Sequence, residues 1–214
     1  MNMSVIDFAA LGSAPVGHDP FDHVLVPGLI SQDALRAAHE DFPSIQRPGS
    51  FPTAQLSYGP GFAALLKALE GPEMAAALGD KLGLDLTDKP TMVTVRGRAR
   101  PTDGKIHTDS SGKLVTVLLY MNPSWEESGG QLRLLRSPDD LEDYAVEVPP
   151  DEGTLVAFPC IPNAWHGHQP FDGERRTIQL NWVTSRRYKL REQVRHSISA
   201  FFKRLAGKQV RHDA

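Results

Sequence analysis

The sequence predicts an α+β chain: helices first, then a jelly roll or sandwich of short antiparallel strands, then a closing amphipathic helix. Three observations carry this. Apolar residues recur at helical spacing before residue 85, the period changes to two after Pro90 with frequent breakers, and steps of three and four return from Leu190 onward. At 214 residues the chain builds one well-buried core rather than two. It divides into a lead-in segment 1–20, a core 21–185 and a basic C-terminal helix 186–214.

The lead-in carries Gly and Pro without periodicity and reads as a segment of low order. His23–Val26 forms a short strand. Ser31 is placed to cap a helix running to about Asp41, with Leu35, Ala38 and Phe42 on one face and Pro43 as the stop. Phe62, Leu65, Leu66 and Leu69 mark a second helix, and Met74, Leu78 and Leu82 a third behind Pro72. Strands are expected at Thr91–Ala99, Lys113–Met121, Gln131–Arg136, Tyr144–Val148, Thr154–Phe158, Ala164–Gln169 and Arg175–Thr184. The last helix carries Leu190, Val194, Ile198, Phe201, Phe202 and Leu205 as a stripe, expected to dock on the helices of residues 32–83 rather than on a second subunit.

Apolar content of 40%, charged content of 23% and a formal charge of −3 are those of an ordinary globule and name no partner. The single cysteine, Cys160, excludes an intramolecular disulfide and a thiolate-rich zinc site. The start of the chain lacks a basic then apolar leader and no apolar run reaches membrane-spanning length, so a cytoplasmic protein without membrane contact is expected. Nine lysines and arginines after Ser185 face only Glu192 and Asp213, which reads as the solvated face of a docked helix.

His107-Thr108-Asp109 puts two ligands at i and i+2, which on an extended strand project to one face. With eight histidines and 26 acidic residues in the chain, that spacing alone says little. His166 and His168, in a later strand that a jelly roll folds back beside the first, supply a third ligand. Two imidazoles and a carboxylate on one side of an ion leave positions open for an oxo acid and O2, the facial arrangement of non-haem Fe(II) oxygenase chemistry. Alternation does not choose between His166 and His168. An expected hairpin through Phe171–Glu174, setting His166 beside Arg175, favours His166. Arg175 and Thr177 share a face of the last strand and offer a guanidinium and a hydroxyl to a carboxylate, with Arg176 as the rival.

Taken in order, His107-x-Asp109, Leu119-Tyr120-Met121-Asn122 with Trp125, Gly129-Gly130-Gln131-Leu132, Phe158-Pro159, His166 and Arg175-x-Thr177 resemble the Fe(II)/2-oxoglutarate oxygenases of the prolyl-hydroxylase-like group. The likeness spans residues 21–185. It implies a double-stranded β-helix, with His107, Asp109 and His166 binding iron and acting as the catalytic centre. It also implies that Arg175, Thr177 and Tyr120 contact the C5 carboxylate of 2-oxoglutarate. The implied activity consumes 2-oxoglutarate and O2, with ascorbate as a supporting reductant, releases succinate and CO2, and hydroxylates a peptidyl-prolyl or small-molecule substrate. Two positions depart from the pattern: Met121 stands where leucine is usual, and Arg96 where related hydroxylases often place a tyrosine near the co-substrate. Gly129 and Gly130 read as backbone devices, and Trp125 as a packing aromatic.

The substrate rim is expected from Arg98–Lys105, Ser110–Gly112 and Pro123–Ser128, which flank the ligand strands. Two other classes fit less well. A non-catalytic metal-binding jelly roll or cupin lacks its usual Gly-rich His-x-His framing around His166-Gly-His168. A nucleic-acid demethylase would want a second arginine where Asn181 stands. No nucleic-acid partner is therefore expected, and the chain is expected as monomer or homodimer.

Overall fold

The computed structural model describes residues 4–192. Four helices precede the long strands: α1 (Phe8–Ser13), α2 (Gln32–Glu40), α3 (Pro60–Leu69) and α4 (Pro72–Leu82). α3 and α4 each begin with a glycine as cap and a proline at the first position, where the missing N–H has no partner to lose. α4 ends on Gly83 in the left-handed region. Ser31 caps α2 through its backbone carbonyl, which accepts from Leu35 N at 2.8 Å, and its side chain makes no capping bond.

Among the described residues ten strands form two antiparallel sheets. They are β1 (Val16–Gly17), β2 (His23–Val26), β3 (Phe51–Pro52), β4 (Thr91–Ala99), β5 (Lys113–Tyr120), β6 (Leu132–Leu135), β7 (Tyr144–Val148), β8 (Leu155–Pro159), β9 (His166–Gly167) and β10 (Gly173–Val183). The larger sheet has the order β1-β2-β8-β5-β10-β4-β3 and the smaller β7-β6-β9. Sequence neighbours such as β5 and β6 lie in opposite sheets, the winding of a double-stranded β-helix.

Alternation along the central strands separates two cores. Val115, Val117 and Leu119 of β5, Ile178, Leu180 and Trp182 of β10 and Leu155 and Ala157 of β8 face the helices and join Phe62, Leu65, Met74 and Leu78. The opposite parity faces the small sheet, where Tyr120, Val156 and Phe158 meet Leu132, Leu134 and Val148. The same inner parity on β10 gives Arg175, Thr177 and Asn181, all buried, and Gln179. A polar strip therefore runs down a sheet whose other face is hydrocarbon.

Several expectations need correction. Residues 4–20 are not loose: they hold α1 and β1, bury Ile6 and Leu11 fully, and pair β1 with β2. His107 to Asp109 is not a regular strand; His107 makes an isolated antiparallel bridge with His166 and the chain then runs irregularly. No hairpin joins β9 to β10: β9 pairs with β6 in the small sheet and β10 lies between β4 and β5 in the large one. Residues 186–192 are helical, as expected, with Leu190 63% exposed. Val194, Ile198, Phe201, Phe202 and Leu205 lie outside the described residues.

Candidate active site

The bridge between the two histidines is reciprocal. His107 N donates to His166 O and His166 N to His107 O, each at 3.0 Å, and this brings the rings to a centroid separation of 4.4 Å. In each ring Nδ1 lies on a backbone carbonyl, Lys105 O at 2.8 Å for His107 and Ala164 O at 2.9 Å for His166. Donation from Nδ1–H leaves Nε2 as the lone-pair nitrogen in both. One ligand atom each from His107, Asp109 and His166 fall within 4.8 Å of one another. His166 is buried and backed by the Phe158 ring, whereas His107 is exposed at the mouth.

Asp109 is aimed by a chain of polar groups absent from the sequence reading. Its Oδ1 accepts from Lys113 Nζ at 2.6 Å and its Oδ2 from the Thr116 hydroxyl. Thr116 Oγ1 in turn accepts from Asn181 Nδ2 at 2.7 Å, and Asn181 Oδ1 from Gln179 Nε2 at 3.2 Å. Burial alone would raise the Asp109 carboxyl. The Lys113 charge, His166 and the two side-chain hydrogen bonds outweigh it and hold the group below its ordinary value. Removing Thr116 or Asn181 as a donor, by Thr116→Val or Asn181→Leu, is expected to weaken metal binding about ten- to a hundredfold while far-ultraviolet dichroism stays that of wild type. Unchanged affinity would mean that Asp109 needs no such support.

Arg175 lies deeper. The register of β10 against β4 shifts between Glu174 and Thr177, and the Arg176 N–H is fixed by Asn122 Oδ1 at 2.7 Å. Arg175 then points inward and Arg176 outward, onto the Phe42 ring and Glu174. The Arg175 guanidinium donates to Gly130 O at 2.8 Å, to Tyr120 Oη at 3.3 Å and to Thr177 Oγ1 at 3.4 Å, and lies 5.2 Å from the Tyr120 ring centroid. Burial pushes Arg175 below its ordinary value and Tyr120 above its own. Among the described residues no carboxylate makes an ion pair with Arg175, so this buried cation lacks an anionic counterpart.

The three ligand residues, Thr116, Arg175 and Thr177 line one cavity of about 140 Å³ with Leu118 and Leu132 as apolar side chains, while Tyr120 is buried behind Arg175 and outside the lining. Of the expected rim, the 98–105 loop contributes Gly104, while the Pro123–Ser128 segment stays outside the lining. There Trp125 packs on Phe171 and donates to Gly129 O at 3.1 Å. The Ser110–Gly112 turn is held from outside by Tyr188, whose hydroxyl meets Ser110 Oγ at 2.5 Å. Gly104 has φ +81° and lies flat on the His168 ring, so any side chain there would strike the imidazole. His168 thus belongs to the cavity wall, with Nδ1 2.8 Å from Gln169 O, rather than to the ligand group.

His166 and His168 are both pushed down to about 4, by burial first and then by His107 and by Arg175 respectively. A histidine in the unfolded chain titrates near ~6.5, so between roughly pH 6.5 and 4 the unfolded state binds the extra protons. Metal-free protein should therefore be stable above that window and lose on the order of 3 kcal/mol per histidine as the pH falls through it. Urea midpoints on either side of the window measure this, and equal midpoints would contradict it.

Residues 98–184 match the model of the 2OG-Fe(II) oxygenase superfamily. No curated protein matches the chain. The fold is similar to a crystal structure of a Pseudomonas putida prolyl-4-hydroxylase, with TM-score 0.56, 17% identity and coverage of 86% of this chain and 96% of that one. It is also similar to a prolyl 4-hydroxylase from Phytophthora capsici, with TM-score 0.57, 18% identity and coverage of 86% and 68%. A third likeness is to HygX from Streptomyces hygroscopicus with iron bound, with TM-score 0.52, 12% identity and coverage of 77% and 82%. Residues 98–184 thus carry the pattern of a superfamily whose cofactors are Fe(II) and 2-oxoglutarate, and the fold around them is similar to that of these solved structures. The residues present fit both: two imidazoles with Nε2 available and a carboxylate for a divalent ion, and an uncompensated guanidinium for a carboxylate. No helix among the described residues is long and apolar enough to cross a membrane.

Proposed function

We propose that the chain is a 2-oxoglutarate-dependent Fe(II) oxygenase, a hydroxylase in which His107, Asp109 and His166 hold Fe(II), while Arg175, Tyr120 and Thr177 take the C5 carboxylate of 2-oxoglutarate. The convergence of the three ligand atoms, with both Nδ1 positions already used by backbone carbonyls, is the observation that carries the reading. It fixes tautomer and ring orientation before any ion arrives, so binding costs little reorganisation. The bound iron supplies O2 activation coupled to decarboxylation of 2-oxoglutarate to succinate and CO2.

The chain's own part is placement. Arg175 offers a fork of donors at the closed end of the cavity, and Tyr120 and Thr177 bring hydroxyls to the same spot. Leu118 and Leu132 add apolar surface to the wall of the same cavity. The exposed His107 side is the open end, through which a substrate reaches the centre. Hydroxylation of a prolyl residue is named for the Pseudomonas putida and Phytophthora relatives and enters here as one candidate, a small polar molecule being the other.

Anaerobic Fe(II) titration followed by calorimetry tests the assignment. One tight metal site per chain is expected in wild type and none in Asp109→Ala. Retention of that site in Asp109→Ala would remove the triad.

A further inference from the structure

Arg96 is a cationic side chain of this cavity that neither the metal nor the 2-oxoglutarate site uses. On the sheet floor it stands in one row with Thr177 and Tyr120, since β4 pairs Arg96 with Thr177 and β5 pairs Tyr120 with Thr177. Its guanidinium is held from the loop side: Nη1 donates to Asp103 Oδ2 at 2.5 Å and Nη2 to Ser50 Oγ at 3.3 Å. Asp103 is shared. Its Oδ1 accepts from Arg100 Nε at 3.2 Å and its Oδ2 also from the Arg100 backbone N–H at 3.3 Å. Two guanidiniums thus stand on one carboxylate, and the cluster carries a surplus positive charge.

The charge balance of the loaded cavity follows. A divalent iron, the Asp109 carboxylate with its Lys113 partner, doubly charged 2-oxoglutarate and Arg175 together leave one positive charge. Arg96, on the wall, shares the Asp103 carboxylate with the exposed Arg100 behind it, so the cluster adds a further positive charge beside the cavity. Leu118 and Leu132 are the apolar contribution to the lining, and Ser50, Thr94 and Gln179 continue the polar wall past Arg96. Such a wall offers hydrogen-bonding groups and a cation to a charged substrate.

We propose that Arg96 is the specificity-determining residue of the substrate site and that the substrate is a small molecule bearing a carboxylate, which Arg96 binds while Arg100 keeps Asp103. The inference rests on the hydroxylase reading above. An incoming carboxylate replaces the long Ser50 bond and competes with Asp103 for the guanidinium, and Asp103 keeps Arg100 as a partner.

The test uses full-length protein loaded anaerobically with Ni(II) and 2-oxoglutarate, titrated with free L-amino acids and 2-hydroxy acids and, in parallel, with their primary amides. Acids of the panel should bind, the preferred one about ten- to a hundredfold more tightly than its amide. Arg96→Gln should collapse that ratio to near one, and Arg96→Lys should restore part of it. Equal binding of acid and amide by wild type, or binding of no acid in the panel, overturns the proposal. So does a 2-oxoglutarate Kd that rises in Arg96→Gln as much as in Arg175→Ala, which would put the guanidinium on the co-substrate. The hydroxylase reading is judged separately, by metal and 2-oxoglutarate binding in wild type, so the two failures are distinguishable.

Discussion

Replacing Arg175 with alanine is expected to weaken 2-oxoglutarate binding by a hundredfold or more, whereas Arg176→Ala leaves the Kd within about threefold of wild type. The two arginines are adjacent, yet one is buried against Tyr120, Thr177 and Gly130 O and the other lies half-buried over Phe42 on the opposite face. Removing one partner of a buried charge pair costs roughly 3–5 kcal/mol, which is about two to three and a half decades in Kd. Arg175 is an unusual deletion because its charge lacks an ion-pair partner in the protein, so the variant should gain stability without co-substrate while losing affinity for it. Calorimetric titration and thermal melts with and without 2-oxoglutarate read both effects. The reverse ranking of the two arginines would place the co-substrate on the other face of β10.

The second large effect separates His166 from His168. His166→Ala should abolish stoichiometric Fe(II) binding, because it removes one of three ligands while leaving the backbone bridge to His107 in place. His168→Ala should keep one metal per chain, since that ring serves the cavity wall and packs on Gly104. Loss of metal in His168→Ala with retention in His166→Ala would exchange their roles. Anaerobic equilibrium dialysis with metal analysis measures both.

The long strands were legible because alternation is a local signal: His23–Val26, Thr91–Ala99 and Tyr144–Val148 appear with the expected bounds, the other expected strands within a few residues, and the two-residue β1 and β3 were not foreseen. What alternation cannot report is which strand lies beside which. Short spacing between His166 and Arg175 suggested a hairpin, but the chain crosses between sheets there, and Gly173 opens β10 against β4. His166 joins the triad through its bridge to His107, a contact over 59 residues of sequence that no local pattern announces. His168, the rival, is in fact the one that feels the Arg175 charge.

The polar supports of the site were half legible. Thr116 and Asn181 sit at the inward parity of β5 and β10, four residues before Tyr120 and six after Arg175, so their face could be read from the sequence. Their service to Asp109 depends on cross-strand register, and that is fixed only once β5 and β10 pair. The lead-in was misjudged for a related reason. Ile6 and Leu11 are too few to show a period, and their burial comes from tertiary packing against the helices.

The central claim is tested most directly by following 2-oxoglutarate and succinate in wild-type protein loaded with Fe(II) without O2 and then exposed to air, beside His107→Ala treated identically. The account predicts Fe(II)- and O2-dependent conversion of 2-oxoglutarate to succinate by wild type, slow without substrate, and none above the protein-free control in the variant. Equal succinate from both proteins would contradict it.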